Sequence, residues 1–291
     1  MNFACVVALA LSSAQAPIAP QPTAIDGAVT HVYKSVGGVE LRLHVFSPAD
    51  HRATNRKAAI VFFFGGGWTS GTVEQFVPQS RYLAGRGMVA IVADYRVFGR
   101  HKTEGFAAMA DAKSAIRWVR SHAAQLGVDP NRIAGAGGSS GGHIALSAAV
   151  FDAFDEPGED SRISSKPNAL VLFNPAVELS RITAPVAKQR WGEKAVEASP
   201  LEHVHGGLPR TLILHGMADT TVPYTDVENF CAASKKAGNQ CQLVGYEGAA
   251  HGFFNHGRGG NKWYDETLQE TDRYLTTIGY LPKTPSRRSR D

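Results

Sequence analysis

Three short stretches of the chain hold residue types that together could carry out nucleophilic acyl transfer. The first is Gly137-Gly138-Ser139-Ser140-Gly141-Gly142, which follows the apolar run Arg132-Ile133-Ala134-Gly135-Ala136 and precedes a helix-like stretch from His143 to Val150. A serine set between glycines at a strand-to-helix junction sits on a turn tight enough to exclude neighbouring side chains, and its hydroxyl is pushed clear of the backbone. The second stretch, Leu214-His215-Gly216-Met217-Ala218-Asp219, offers a carboxylate, and the third, Gly248-Ala249-Ala250-His251-Gly252, an imidazole. A serine hydroxyl is a weak nucleophile until a base takes its proton, and histidine has suitable basicity near neutral pH. A carboxylate behind the histidine fixes its tautomer and stabilises the imidazolium.

Each role has competitors. Ser139 has Gly137 and Gly141 two residues to either side, and Ser140 has Gly138 and Gly142, so spacing does not separate the two serines. Glu178, just past an apolar run ending at Phe173, is a second candidate acid. His143, His215 and His256 compete with His251 for the base. His143 falls on the helix after the serines and reads as a packing or supporting residue; His215, at a strand end, reads as a buried hydrogen-bonding histidine. Gly65-Gly66-Gly67 follows the apolar run ending at Phe64, where bare backbone amides could face a developing oxyanion, or could simply form a turn.

The elements that must position these residues alternate in type. Val32 to Phe46 reads as two strands around Gly37-Gly38, with Leu41, Leu43 and Val45 alternating against Arg42 and His44. Ala58–Phe64 and Met88–Ala93 are continuous apolar runs, the mark of strands buried on both faces. Further strands are expected at 132–136, 169–173, 211–214 and 242–246, and helices at 78–86, 107–125, 143–150, 226–237 and 262–277. Strands alternating with helices predict an α/β fold with a mostly parallel, doubly wound sheet, helices on both faces and a small lid. Ligands in such sheets bind beyond the carboxyl ends of the strands, and Gly65–Gly67, Ser139, Asp219 and His251 all fall there.

The stretch from Arg132 to Ala145 resembles the nucleophile elbow of hormone-sensitive-lipase-like esterases and bacterial acetyl esterases, including acetyl xylan esterases, whose pattern is Gly-Asp-Ser-Ala-Gly-Gly. The likeness runs from about Tyr33 to Tyr280 and includes Val92-Ala93-Asp94-Tyr95-Arg96 and Gly127-Val128-Asp129-Pro130-Asn131-Arg132-Ile133. It implies an α/β-hydrolase fold with the chain order serine, acid, histidine. Ser139 would then be the nucleophile, Asp219 the acid and His251 the base, with the amides of Gly66, Gly67 and Ser140 as the oxyanion hole. One departure stands out: Phe64 replaces the histidine that opens the family's His-Gly-Gly-Gly loop and normally props it. The implied activity is hydrolysis of short acyl esters through an acyl-serine intermediate, with acetylated or feruloylated plant polysaccharide as a natural target. A prolyl-peptidase-like or lactone hydrolase shares the late His-Gly-x-x-Asp motif, and a catalytically inactive hydrolase fold serving as a binding protein is the reading from another class. The stretch from Phe173 to Thr211 leaves little material for a lid, with Trp191 as its main large apolar group, so an open, shallow site is expected.

Length and charge bound the remainder. A chain of 291 residues suits one large α/β domain, and its net charge of +4 owes +3 to a tail in which Lys283, Arg287, Arg288 and Arg290 face only Asp291. No basic stripe interleaved with aromatics suggests nucleic acid, and no ligand spacing or phosphate-binding loop suggests a metal or cofactor. Phe3 to Leu11 followed by Ser12-Ser13-Ala14-Gln15-Ala16 reads as an export signal over residues 1–16, although no Lys or Arg precedes it, and the run is too short to span a bilayer. The expectation is therefore a secreted or periplasmic protein with a linker over 17–31, a domain over 32–281 and a basic tail over 282–291. Removal of Cys5 with the signal would leave Cys231 and Cys241, a helix-turn-strand apart, as a candidate disulfide.

Overall fold

Residues 57–63 and 89–93 contain almost no polar side chain, so as strands they can lie only where both faces are covered. The computed structural model, which describes residues 18–182 and 189–283, places them at the centre of an eight-stranded sheet. Its strands are β1 (Val29–Val36), β2 (Val39–Phe46), β3 (Lys57–Phe63), β4 (Val89–Ala93), β5 (Val128–Gly138), β6 (Ala169–Phe173), β7 (Arg210–Gly216) and β8 (Cys241–Tyr246). They lie in the order β1-β2-β4-β3-β5-β6-β7-β8. Only β2 runs against its neighbours; all pairs from β4 to β8 are parallel. Every residue of β4 and β6 is buried, whereas β8, at the sheet edge, is buried only at its two ends.

The helices around it include α1 (Val77–Gly85), α2 (Phe98–His101), α3 (Gly105–Ser121), α4 (Ser140–Val150), α5 (Tyr224–Lys236) and α6 (Lys262–Thr277). The mostly parallel α/β sheet expected from the alternating pattern is present. Differences lie at the edges of elements. Strand β1 begins at Val29 rather than Val32, because Thr30 and His31 continue the pairing with His44 and Leu43. Before it, Gln21 bonds to both Gly71 and Val73, and Ile25 and Ala28 pack on the core, so the chain is already seated on the domain there. Helix α2 has no periodicity in the sequence. It forms because the N–H groups of Phe98 and Gly99 are captured by the carbonyls of Trp68 and Thr69.

Two devices tie distant parts together. Cys231 of α5 is bridged to Cys241, the first residue of β8, with Cα atoms 5.4 Å apart. Lys34, Arg96, Asp111 and Glu156 form a buried ion cluster that fixes the corner after β4 to α3. The expected export signal and the tail beyond Lys283 lie outside the described residues. Among the described residues no helix is long and apolar enough to cross a membrane.

Candidate active site

Ser139 stands between β5 and α4 with φ 54° and ψ −120°, a conformation that side chains seldom adopt. Glycine at 141 makes the turn feasible, since a Cβ there would stand 2.1 Å from the Phe63 carbonyl oxygen. The Ser139 N–H donates to the Phe173 carbonyl at 2.9 Å, so β6 holds the elbow in place. Its hydroxyl lies 2.9 Å from His251 Nε2, and His251 Nδ1 lies 2.7 Å from Asp219 Oδ2. With Nδ1 protonated, the serine O–H donates to Nε2 and the ring donates to the carboxylate.

Asp219 is buried, and burial alone would raise its pKa. That effect is outweighed by hydrogen bonds from His215 and His251, the charge of His251 and the Val222 amide, which hold the carboxyl well below its usual range. Its other oxygen accepts from the N–H groups of Thr221 and Val222, both at 2.9 Å. Asp219 is thus a fixed anion across the range in which His251 must shuttle a proton.

The remaining candidates fall elsewhere. Glu178 is buried against Ser180 and Ser199, whose hydroxyls donate to it, and it makes no contact with His251. His143 accepts from Trp68 Nε1 at 3.2 Å and donates through Nε2 to the Ala198 carbonyl at 2.9 Å. Burial, slightly offset by that carbonyl, pushes its pKa down to about 4, so it stays neutral. His215 Nε2 lies 3.0 Å from the Val222 carbonyl and 3.3 Å from Asp219, behind the acid rather than in the base position. His256 is exposed and packs its ring against Tyr264.

The loop after β3 brings Gly66 and Gly67 to the rim of the same cleft as Ser139. Gly66 has φ 136°, and a Cβ there would lie 2.2 Å from the Ser70 carbonyl oxygen. Among the described residues no acceptor engages the N–H of Gly66 or Gly67, which leaves both for a substrate oxygen. Phe64, in place of the expected histidine, contributes by packing: its ring stacks on Tyr95 at 4.2 Å, and the Tyr95 hydroxyl donates to the Phe64 carbonyl at 2.7 Å.

A polar strut supports the loop from its other side, and sequence reasoning missed it. Gly65 N–H donates to Gln75 Oε1 (2.7 Å), Gln75 Nε2 to Asn255 Oδ1 (2.8 Å), and Asn255 Nδ2 to the Gly252 carbonyl (2.9 Å). Gly252 N–H in turn donates to Asn174 Oδ1 at 3.0 Å. The loop bearing the oxyanion donors is thereby joined to the loop bearing His251. Asn255, four residues past His251, carried a faint signal as a polar residue after Phe253-Phe254; Gln75 carried none. The cleft holds about 450 Å³ and is lined by these groups together with Thr221, Phe254 and Arg258. Trp191 does not stand over the cleft but is buried edge-on against Trp68 and close to His143. Among the described residues no cluster of three or more His, Cys, Asp or Glu could hold a metal ion.

This combination of elbow, late acid and late histidine agrees with the match of the BD-FAE family model to residues 43–233. The chain belongs to the BD-FAE family. Its fold is that of the α/β-hydrolases, and the dienelactone hydrolase family model also matches its residues 199–278. BD-FAE membership is accompanied by similarity to solved structures of Thermogutta terrifontis esterase 2. The form phosphorylated by paraoxon is 51% identical with a TM-score of 0.85, covering 89% of this chain and 97% of that one. The butyrate-bound form is 50% identical with a TM-score of 0.84, over the same shares. Among curated proteins, esterase LipC of Mycobacterium tuberculosis (strain ATCC 25618 / H37Rv) is 28% identical over 222 residues, 69% of this chain and 54% of that protein. The chain spans about half the length of the curated relatives it matches.

Proposed function

We propose that this protein is a serine carboxylesterase that cleaves short acyl esters through an acyl-serine intermediate. The observation that carries this reading is the continuous hydrogen-bonded line from Ser139 through His251 to Asp219, beside two unengaged amides. Ser139 Oγ attacks the ester carbonyl while His251 Nε2 takes its proton, and Asp219 stabilises the imidazolium. The carbonyl oxygen, now negative, receives the N–H groups of Gly66, Gly67 and Ser140. His251 then protonates the departing alcohol. Water, deprotonated by the same nitrogen, attacks the acyl-serine and releases the acid.

The polar lining of the cleft, with Phe254 as the one large apolar side chain among the described residues, favours acetyl to butyryl groups over long chains. The butyrate and propionate seen on Thermogutta terrifontis esterase 2, and its phosphorylation by paraoxon, support the same reading by analogy. Among the described residues no large side chain such as Trp191 stands over Ser139, which suits a bulky alcohol, and acetylated or feruloylated polysaccharide is the natural target we infer for a protein exported by residues 1–16. The test is a paraoxon adduct located by peptide mass spectrometry, together with rates on aryl esters of rising acyl length. An adduct on Ser139, lost in Ser139→Ala, and rates falling steeply by octanoyl support the reading; labelling elsewhere, or a preference for long acyl chains, overturns it.

A further inference from the structure

The cleft beside Ser139 holds a charge that ester hydrolysis itself does not require. Among the described residues that line it, Arg258 is the only Lys or Arg, and none is Asp or Glu. Arg258 is exposed, and its side chain makes one hydrogen bond among the described residues, from Nη1 to the carbonyl of His251 at 2.5 Å. No carboxylate pairs with it there. Surface arginines commonly wave freely, but this one is held: Gly257 and Gly260 adopt φ of 83° and 65°, and the Gly257 N–H donates to Asn261 Oδ1 at 2.5 Å. The backbone N–H of Arg258 is fixed as well, to the Asn255 carbonyl at 3.2 Å. Through Asn255 this loop is joined to the strut that carries the oxyanion donors.

A guanidinium tied by one nitrogen to the backbone of the base keeps its remaining N–H donors for another partner. Its planar fork suits a carboxylate, and the pair strengthens as a bound substrate displaces water from the cleft. The other polar side chains nearby are largely occupied with one another. Gln75 donates to Asn255 and accepts from Gly65, and Asn255 donates to the Gly252 carbonyl, so a neutral polar substituent finds few open partners where an anion finds a charged one.

We propose that Arg258 is a specificity-determining residue and that this protein selects esters bearing a carboxylate on the acyl or the alcohol part. The proposal rests on the hydrolase reading above. Two arms distinguish where the carboxylate sits. On the acyl side, aryl monoesters of succinic, glutaric and adipic acid are compared with the same esters in which the free carboxyl is a primary amide. On the alcohol side, 3-(4-acetoxyphenyl)propanoate is compared with its propanamide. Each rate is corrected for spontaneous hydrolysis, and the quotient of kcat/KM for carboxylate over amide is read, so a loss common to both substrates cancels. The expected quotient is on the order of tenfold in at least one arm, as one charge-assisted pair at a partly wet site supplies. It collapses toward unity in Arg258→Gln, is partly kept in Arg258→Lys, and shrinks with added salt only where the charge is present. A quotient of one in both arms for the natural protein, or one that survives in Arg258→Gln, overturns the proposal. Hydrolysis of the amides without selectivity sinks this proposal alone, whereas no hydrolysis of any ester sinks the esterase reading as well.

Discussion

Replacing Gln75 by leucine tests whether the strut between the two catalytic loops holds the oxyanion donors in place. The change removes the bonds to Gly65 N–H and Asn255 Oδ1, at 2.7 and 2.8 Å, without touching Ser139, His251 or Asp219. Both bonds are partly buried, and at roughly 0.5–1.5 kcal/mol each the folded state should lose about 1–3 kcal/mol, too little to unfold it. The kinetic effect is larger in proportion. Loss of a whole oxyanion donor lowers kcat by about 10²–10³, and here two donors stay in the loop but drift, so we expect a fall in kcat of about 10–100-fold. KM should move little, because the donors matter most once charge develops on the carbonyl oxygen. The assay is steady-state hydrolysis of an aryl acetate by Gln75→Leu, Asn255→Leu and the double variant, with thermal melts to confirm folding. Since one strut is cut in each case, the double variant should be scarcely worse than the worse single one. A kcat within about twofold of the natural protein, or losses that simply multiply, would refute the reasoning.

Ser140→Ala should retain most activity, because only the backbone N–H of Ser140 is used; loss of acyl-enzyme formation in that variant would reassign the nucleophile. Asp219→Asn should lower kcat by about 10⁴ with the fold intact, whereas Glu178→Gln should affect stability more than turnover; the opposite pattern in kinetics and melts would show that the acid is Glu178. Burial, opposed by Arg100 and the Tyr95 amide, raises the Asp94 pKa from 3.8 to about 7. The folded state therefore holds this proton more tightly than the unfolded chain, so its contribution is full below about pH 4 and is lost as pH rises through about 7, by at most about 4 kcal/mol at 1.4 kcal/mol per unit. His143, kept neutral, acts in the opposite sense between pH 6.5 and about 4, so the quantity to read is the difference between Asp94→Asn and the natural protein in urea melts from pH 4 to 8; a constant difference would refute the assignment.

The strand and helix pattern was legible because buried strands such as β4 and β6 have to be apolar throughout, and α6 runs over the residues its periodicity marks. The line from Ser139 to Asp219 was legible because it rests on short motifs at strand ends. What escaped the sequence was support supplied across the chain. Gln75 meets Asn255 over 180 residues, and α2 exists only because two carbonyls of the oxyanion loop capture its first amides. The replacement of the loop histidine by Phe64 was visible as a departure, but not its remedy, since stacking on Tyr95 is a matter of packing rather than of motif. Trp191 was expected to contribute to a lid and instead lies buried among the rings of Trp68, Phe106 and His143, where a large ring excludes more water than it could over an open cleft.

None of the reacting groups comes from the connection between β6 and β7, residues 174–209; they leave the ends of β3, β5, β7 and β8 instead. Its first residues meet the catalytic loops directly, Asn174 Oδ1 accepting from Gly252 N–H and Ala176 N–H donating to the Ser139 carbonyl at 3.4 Å; beyond them the described residues touch the elbow helix mainly through the Ala198 carbonyl, which accepts from His143, and through the ring of Trp191. Past Ala176 it is therefore an exchangeable part. A replacement of different length or composition would leave the chemistry standing, provided that it returned one carbonyl to His143 and one large ring to Trp68. Support of the elbow and reactivity are thus written in largely separate stretches of this chain, and a lineage or a designer could recast the first by grafting without having to rediscover the second.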